Sequence, residues 1–166
     1  MKVAFVYTNG GWLRPHPGIT YVMTNTRKKG HDVYLIDPSF ERDKKKFVMD
    51  SITKIKPDVI AHNTVFYEFE ESLENARLIK TNFPKIIQIW GGVYPTLQPT
   101  KFLEYPEVDY ICVNEGEQTI PDFLDELSIK KKKFVTRGLY YKENGNIVKN
   151  LPLPYQNLDS FEMPDW

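Results

Sequence analysis

Short apolar runs alternate with longer amphipathic runs along most of this chain. Five runs rich in β-branched and aromatic side chains predict buried strands, at Lys2–Tyr7, His31–Ile36, Asp58–His62, Lys85–Trp90 and Asp109–Val113. Apolar residues spaced for one helical face predict helices or helical turns between and after them, at Gly18–Lys29, Phe40–Lys56, Tyr67–Phe83, Thr100–Tyr105 and Gln118–Leu127. Pro121 is expected in the first turn of the last helix, where its missing N–H is tolerated. Strands that alternate with helices predict a parallel sheet covered on both faces, the doubly wound α/β class.

The chain changes character after the last predicted helix. Phe134–Tyr141 and Ile147–Asn150 have the composition of strands, and Asn144-Gly145 between them is typical of a two-residue hairpin turn. Residues 151–166 are rich in proline and show no period, which predicts an extended linker. We therefore expect an α/β domain at 1–133, a β-hairpin at 134–150 and a linker at 151–166.

Composition and charge exclude several classes of protein. Lys and Arg number 22 and so do Asp and Glu, so no bulk field attracts phosphate backbones and no nucleic-acid partner is expected. No apolar run approaches the roughly 20 residues that cross a bilayer, and no signal peptide follows Met1, so we expect a cytoplasmic protein with no membrane partner. Cys112 is the sole cysteine, which excludes an internal disulfide or a multi-cysteine metal cluster. Its place in an apolar strand indicates a small buried hydrophobe.

Ligands of an open parallel sheet bind beyond the carboxyl ends of the strands. The segments expected there carry glycine and small polar residues, and they are Thr8–Gly18, Asp37–Ser39, Asn63–Phe66, Gly91–Thr96 and Asn114–Glu117. The first of these loops has neither phosphate-binding glycine signature, which argues against nucleotide triphosphates and dinucleotides. Trp12, Pro15 and Pro17 make the same loop bulky and stiff. It suits a large, partly apolar ligand, or it caps the sheet without any ligand.

Gly91 and Gly92 directly follow a buried strand. Two missing side chains leave room for a flat or bulky group at the sheet edge, whereas a tight turn alone needs only one glycine. Glu115 and Glu117 bracket Gly116 after the fifth strand. The two carboxylates could perform acid–base chemistry, but capping of the following helix by Glu117 is favoured.

The three histidines give no metal site. His16 has no second ligand at a suitable spacing and is interpreted as a solvent-facing loop residue. His31 begins a strand at the opposite edge of the sheet and is interpreted as structural. His62 ends the third strand, and we expect it in the core or at the rim of the site.

These motifs form an ordered series along nearly the whole chain. It comprises Gly30–Val33 leading into Ile36-Asp37, then Lys56–Ile60, Gly91–Thr96, Val108–Tyr110, Glu115–Glu117, Arg137–Tyr141, Asn144–Ile147, and Leu158-Asp159 ahead of Met163–Trp166. The series resembles the N-terminal cobalamin-binding domain of radical S-adenosylmethionine enzymes. The resemblance implies a flavodoxin-like, Rossmann-like fold with strand order 2-1-3-4-5. It also implies a corrin ring over the strand ends, with its dimethylbenzimidazole tail in a slot between sheet and helices.

The resemblance also suggests which residues bind the cofactor. Gly91-Gly92 matches the glycines that line the slot, and Thr64-Val65-Phe66 takes the place of a Ser-x-Leu segment whose hydroxyl faces the tail. The predicted cofactor-binding residues are Thr8, Asn9, Pro17, Gly18, Thr64, Val65, Gly91, Gly92, Tyr94, Glu115 and Gly116.

Two departures from the family pattern limit what this chain is expected to do. The cobalt-ligating histidine of the family lies in Asp-x-His-x-x-Gly, whereas here Arg14 stands where the Asp should be and Gly18 follows His16 at the wrong spacing. An Asp orients such a histidine, so we expect cobalamin bound without a protein histidine ligand. The three cysteines that hold a [4Fe-4S] cluster are also missing. The cluster and S-adenosylmethionine are therefore expected only in a barrel of the same full-length chain, outside this sequence.

Three functional hypotheses follow. The first is the cobalamin-binding module of a radical S-adenosylmethionine methyltransferase or related Fe-S oxidoreductase, truncated before its catalytic barrel and inactive by itself. The second is a cofactor-free scaffold of the same family that positions a substrate or partner. The third is a flavodoxin-like receiver or flavin module. A receiver needs an acidic cluster where this chain has Thr8-Asn9-Gly10, and a flavin module needs a phosphate loop, which Arg14–Pro17 does not supply.

The slot assignment gives a first mutational prediction. Gly92→Leu is expected to abolish corrin uptake while leaving the fold intact, because only the slot is filled. Titration of both proteins with cobalamin measures the effect, and equal affinities would refute the slot assignment.

Overall fold

Seven strands form one sheet in the computed structural model, which describes residues 1–8 and 16–164. The strands are β1 (Lys2–Tyr7), β2 (Asp32–Ile36), β3 (Val59–Asn63), β4 (Ile87–Gly91), β5 (Tyr110–Cys112), β6 (Leu139–Glu143) and β7 (Asn146–Lys149). Their order is β2-β1-β3-β4-β5-β6-β7; β1 to β5 pair in parallel, whereas the β5–β6 and β6–β7 pairs are antiparallel. The doubly wound class, the order 2-1-3-4-5 and the C-terminal hairpin are thus confirmed.

The helices lie close to the predicted segments. They are α1 (Pro17–Lys28), α2 (Lys44–Ile55), α3 (Phe69–Asn82), α4 (Val93–Leu97), α5 (Pro99–Phe102) and α6 (Gly116–Ser128), with 3₁₀ turns at Phe66–Glu68 and Leu158–Ser160. The predicted start of α2 at Phe40 was wrong. The side chain of Asp43 accepts a hydrogen bond from the Lys46 N–H at 3.0 Å and caps the helix there.

Two further helical predictions need correction. Gly91–Thr96 was expected to be a loop, but α4 occupies most of it because the chain turns into a helix directly after Gly92. Pro121 lies inside α6 rather than in its first turn, because the helix begins at Gly116, two residues before the predicted start. Proline has no N–H, so α6 forgoes one internal hydrogen bond at that point.

Alternating side chains of the strands pack against helices on both faces of the sheet. Val3 and Phe5 of β1 point to the α1/α6 face, where they meet Ile19 of α1 and Phe123 of α6. On the opposite face Ala4, Val6 and Ile60 pack against Val48, Ile52 and Ile79 of α2 and α3. A third cluster beside them is aromatic and surrounds Trp90 and Phe102, both almost fully buried.

The hairpin extends the sheet beyond β5. Asn144 and Gly145 have φ angles of 50° and 79°, the left-handed values that a type I′ turn requires at both central residues. The first strand begins at Leu139 and not at Phe134 as predicted. The reason is that the Glu126 carboxylate accepts hydrogen bonds from the N–H groups of Val135 and Thr136 and from the Thr136 hydroxyl, at 2.9–3.2 Å. This segment is therefore tied to α6 instead of pairing with β5.

The C-terminal segment is extended and returns to α1. The Tyr21 hydroxyl donates to the Met163 sulfur at 3.6 Å, and Lys28 forms an ion pair with Glu162. Pro164, the last residue that the structure describes, is buried. The segment therefore packs along α1 over its last described residues.

His62 is buried on the α2/α3 face of β3. Its Nε2 lies 2.8 Å from Gln88 Oε1, and its ring stacks on Trp90 with centroids 4.5 Å apart. The Gln88 amide nitrogen donates to the Ala76 carbonyl at 3.0 Å, which turns Oε1 toward the histidine and makes Nε2 the protonated nitrogen. Burial lowers the pKa of His62 from 6.5 to about 4, so the imidazole is neutral at pH 7.

This histidine is expected to make the fold sensitive to acid. Because the folded-state pKa is depressed, the unfolded chain binds more protons between pH 6.5 and 4, and stability falls as pH decreases through that range. The loss should reach about 3 kcal/mol, at ~1.4 kcal/mol per pKa unit. His62→Gln should show a shallower decline, measured by urea unfolding at pH 7 and pH 4.5. Identical pH dependence in the two proteins would contradict this interpretation.

Candidate functional site

A cavity of about 370 Å³ opens at the carboxyl ends of the parallel strands. Its walls come from β1, β3, β4 and β5 on one side, from α1 and the start of α6 on the other, and from α4. The position agrees with the general rule for ligand sites in open α/β sheets. It also coincides with the slot between sheet and helices that the sequence resemblance implies.

Apolar side chains form the inner part of the cavity. Phe5, Ala61 and Ile89 contribute from the sheet, and Ile19, Val22 and Ile120 contribute from the helices. Phe5 pairs with Ala61 across β1 and β3, and Ala61 pairs with Ile89 across β3 and β4, so these three residues form one row. The sheet register therefore builds a continuous apolar floor.

Two glycines line the cavity above this floor. A β-carbon at Gly91 would lie 3.6 Å from Cys112 Cβ, which is ordinary van der Waals contact. A β-carbon at Gly116 would lie 3.1 Å from the Val22 side chain, which is tighter than ordinary contact. Gly91 thus leaves space in the cavity wall, whereas Gly116 allows α1 and α6 to pack closely.

Gly92 has a different role from the one predicted. Its φ angle is +99°, and a β-carbon would lie 2.7 Å from the Thr64 carbonyl oxygen and 2.8 Å from Asn63 Oδ1. The backbones after β3 and β4 approach closely here, with a Thr64 N–H to Gly91 carbonyl bond of 3.0 Å. The expectation that Gly92→Leu leaves the fold intact was therefore wrong, because any side chain at this position strains the backbone and collides with it.

Polar groups surround the mouth of the cavity. The Asn114 N–H donates to Thr96 Oγ1 at 3.0 Å, which ties the loop after β5 to α4. Glu117 accepts backbone hydrogen bonds from its own N–H and that of Gly116, and burial raises the pKa of its carboxyl group. These contacts agree with the capping role favoured for Glu117.

Cys112 lines the cavity although its sequence context suggested only a core residue. It is buried, and burial raises the pKa of its thiol to about 12. The side chain therefore stays protonated and neutral at physiological pH. It presents a small hydrophobic surface to the cavity, as expected for a buried free cysteine.

The predicted site residues divide into two groups. Five of them line the cavity: Gly18, Gly91, Gly92, Glu115 and Gly116. Asn9 lies outside the described residues. The remaining five are not on the cavity wall: Thr8, Pro17, Thr64, Val65 and Tyr94.

Local packing explains where the polar and aromatic members of the second group lie. Thr64 is buried, and its hydroxyl donates to Ser72 Oγ at 2.7 Å, so it faces α3 and not the slot. Tyr94 packs edge-on against Phe69 and Phe102, with ring centroids 5.4 and 5.0 Å away. Thr8 is buried, 1 % exposed.

Sequence reasoning missed the apolar wall. Phe5, Ala61 and Ile89 follow the same period as residues of the core, so their pattern gives no signal of a cavity. His16 was expected to face solvent; it is exposed, but its ring also lines the cavity, with Nδ1 3.3 Å from where a Gly18 β-carbon would be.

An exposed apolar rim lies beside the mouth. It consists of Phe66, Val93 and Leu97, which are 75 %, 62 % and 72 % exposed. The Phe66 ring contacts Tyr94 at a centroid distance of 5.3 Å, which joins the 3₁₀ turn after β3 to α4. Val93 and Leu97 also line the cavity, so its apolar wall continues to the exposed surface.

Comparison with known proteins identifies the class. The family model described as the B12 binding domain matches residues 13–124, and the chain belongs to this family. Within the described ranges, no group of three or more His, Cys, Asp or Glu residues is placed to hold a metal ion. Of the helices that the structure describes, none has the length and hydrophobicity to span a bilayer.

Individual relatives are longer proteins. The chain is 28% identical to the uncharacterized methyltransferase PH0819 of Pyrococcus horikoshii, covering 94% of this chain and 34% of the relative. It is 25% identical to the anaerobic magnesium-protoporphyrin IX monomethyl ester cyclase of Rubrivivax gelatinosus, covering 100% of this chain and 32% of the relative. The chain thus spans about a third of the length of these curated relatives.

Solved structures agree with the fold. The cobalamin-dependent S-adenosylmethionine radical enzyme OxsB, with aqua-cobalamin and S-adenosylmethionine bound, superposes with a TM-score of 0.79 at 25% identity, covering 93% of this chain and 22% of that one. The radical S-adenosylmethionine methyltransferase TsrM from Kitasatospora setae gives 0.75 at 20% identity, covering 92% and 30%. The resemblance inferred from the sequence is confirmed.

Gly91 offers the test of the cavity that Gly92 does not. Its φ angle is not positive and a β-carbon is accommodated, so Gly91→Leu should fold while its side chain fills the cavity. Binding of the ligand would then crowd the added leucine side chain, at a cost of about 1–3 kcal/mol, so the affinity for cobalamin should fall ~10- to 100-fold. Isothermal titration measures the affinity, and thermal unfolding checks the fold.

Gly91→Ala is the matched control for this substitution. Its single added methyl group makes only an ordinary contact with Cys112, so its affinity should lie between those of the wild type and Gly91→Leu. A folded Gly91→Leu protein with wild-type affinity would show that the cavity is not where the ligand binds.

Proposed function

We propose that this chain binds cobalamin, with the base of the cofactor's nucleotide tail in the cavity and the corrin ring outside it. The observation that carries the proposal is an apolar, glycine-walled cavity at the carboxyl ends of the strands in a B12-binding domain. The residues present fit such a group, because the cavity is lined largely by apolar side chains and Gly91 contributes no side chain to its wall.

The size of the cavity supports this division of the ligand. Its volume of about 370 Å³ is at the lower end of the range for small-molecule sites. A bicyclic base fits such a volume, whereas the much larger macrocycle must lie over the strand ends. The exposed apolar rim of Phe66, Val93 and Leu97, two of which also line the cavity, then offers the macrocycle a surface at the mouth.

The chain's own residues bind and shield the ligand in this proposal. The neutral thiol of Cys112 and the aliphatic groups around it exclude water from the base, while the Asn114–Thr96 contact holds the mouth in shape. Bound cobalamin supplies a cobalt centre that can carry a methyl group. In this proposal the described residues bind the cofactor, and none of them is assigned a catalytic role.

We infer that the chain acts as one module of a longer radical S-adenosylmethionine enzyme. The relatives are about three times as long, and OxsB, the cobalamin-dependent radical enzyme described above, contains a region of the same fold. In this proposal residues 1–133 bind cobalamin, 134–150 form the hairpin extension, and 151–166 lead to a barrel that holds the [4Fe-4S] cluster and S-adenosylmethionine. The activity of the whole protein is then methyl transfer or a related reaction.

Cobalamin uptake by the purified chain tests the proposal. After mixing with hydroxocobalamin and gel filtration, the protein peak should carry the red corrin absorbance in a ratio close to one per chain. Colourless protein would contradict the proposal and favour the cofactor-free scaffold.

His16 is not proposed as a cobalt ligand. Its ring lines the cavity at its mouth, but Arg14 replaces the aspartate that orients the ligating histidine of the family. His16→Ala should therefore leave the visible spectrum of the bound cofactor unchanged and change cobalamin affinity only slightly, through the ring lost at the mouth. A spectrum of imidazole-ligated cobalt that disappears in this variant would contradict the expectation.

A further inference from the structure

The inner part of the cavity differs chemically from its mouth. Phe5, Ala61 and Ile89 form the floor row on β1, β3 and β4, each two residues before the end of its strand. The next inward-facing row contains Asn63 and Gly91, and the polar loop residues lie at that level or above it. The polar groups of this cavity therefore lie at its mouth.

The helical side of the inner cavity is equally apolar. Ile19 and Val22 of α1 and Ile120 of α6 face the floor row across the cavity. Cys112 of β5, next to Gly91, adds a neutral thiol whose Sγ lies 3.9 Å from the Glu115 carbonyl oxygen. A group that enters this part of the cavity therefore gives up its water without gaining a polar partner from these walls.

The polar side chains around the cavity belong to segments beyond the floor row. Thr96 Oγ1 accepts the Asn114 N–H, and Glu117 accepts N–H groups at the start of α6. Glu115 Oε2 is buried without a hydrogen-bond partner among the described residues, and Glu115 follows Cys112, the last residue of β5, by three residues. Asn63 Oδ1 sits against Gly92, one row above Ala61. A ring seated on the floor row would meet carbon atoms on both of its faces.

We propose that this apolar inner cavity selects corrinoids by the polarity of their lower base, favouring dimethylbenzimidazole over a purine. The inference rests on the proposed function, and it adds the class of corrinoid that the site takes. A purine carries ring nitrogens and an amino group that need hydrogen bonds, and a buried polar group left without them weakens binding. Dimethylbenzimidazole presents methyl groups and a benzene ring there, which the floor accepts without cost.

Three ligands test the proposal on the wild-type chain. They are cobalamin, the cobamide in which adenine replaces dimethylbenzimidazole, and cobinamide, which has no base. We expect cobalamin to bind ~10- to 100-fold more tightly than the adenine cobamide, the range in which an apolar pocket discriminates against added polar groups. Cobinamide should also bind more weakly than cobalamin, because the floor stays unfilled.

The possible failures are distinguishable. Equal affinities for cobalamin and the adenine cobamide would overturn base selection while leaving the proposed function standing. Equal affinities for cobalamin and cobinamide would show that no base enters the cavity. That result would overturn base selection and the proposed placement of the base, while leaving cobalamin binding by the chain standing. Failure of all three ligands to bind would overturn the proposed function itself.

A matched pair of substitutions locates the selectivity in the floor row. Ala61→Ser places a hydroxyl in the floor, whereas Ala4→Ser places the same group in the core on the opposite face of the sheet. Ala61→Ser should reduce the preference for cobalamin over the adenine cobamide by ~3-fold or more, because the added hydroxyl can pair with the purine. Ala4→Ser should leave the ratio at its wild-type value.

For each variant, the affinities for cobalamin and for the adenine cobamide are measured on the same folded protein, and their ratio is compared with that of the wild type. Thermal unfolding checks that the variant is folded. An unchanged ratio in folded Ala61→Ser, or an equal change in both variants, would overturn the assignment of selectivity to the floor. The wild-type comparison decides base selection even if one variant fails to fold.

Discussion

The packing of α1 and α6 against one face of the parallel sheet is the contact on which the site depends. Ile19 and Met23 of α1 meet Phe123 and Leu124 of α6 over the apolar residues of β1, β3 and β4. Away from the carboxyl ends of the strands, α1, α6 and the sheet form a closed hydrophobic core. Toward the strand ends Gly91 contributes no side chain, and a cavity opens between the sheet and the two helices. One packed interface thus supplies stability at its base and a binding site at its top.

Backbone contacts at the mouth keep that opening in shape. The turns after β3 and β4 are joined by the Thr64–Gly91 hydrogen bond, and the approach is close enough that Gly92 alone adopts a left-handed conformation there. The loop after β5 is tied to α4 through Asn114 and Thr96. Neighbouring glycines therefore serve different purposes, since Gly91 leaves space in the cavity wall and Gly92 allows the close approach of the chain after β3.

Much of the fold followed from local sequence, and the errors have identifiable causes. The boundaries of β1 were predicted correctly because a β-branched and aromatic run has one stable environment, a buried strand. The start of α2 was misplaced because the Asp43 cap outweighs the apolar pattern of the residues before it. The first hairpin strand was misplaced because Glu126, distant in sequence, binds the backbone of Val135 and Thr136. That contact forms only when α6 and the hairpin are side by side.

The sequence by itself determined the α/β class, the family and the edge of the sheet where the site lies, because periodicity and loop glycines are local properties. Only the tertiary structure decided which residues form the cavity. Ala61 and Ala4 have the same local pattern, yet one lines the cavity and the other fills the opposite core. Thr64, whose hydroxyl was expected to face the cofactor, points instead to Ser72. The direction of a side chain relative to a ligand is set by strand register and by the helices above it, and these are fixed by contacts between residues far apart in the chain.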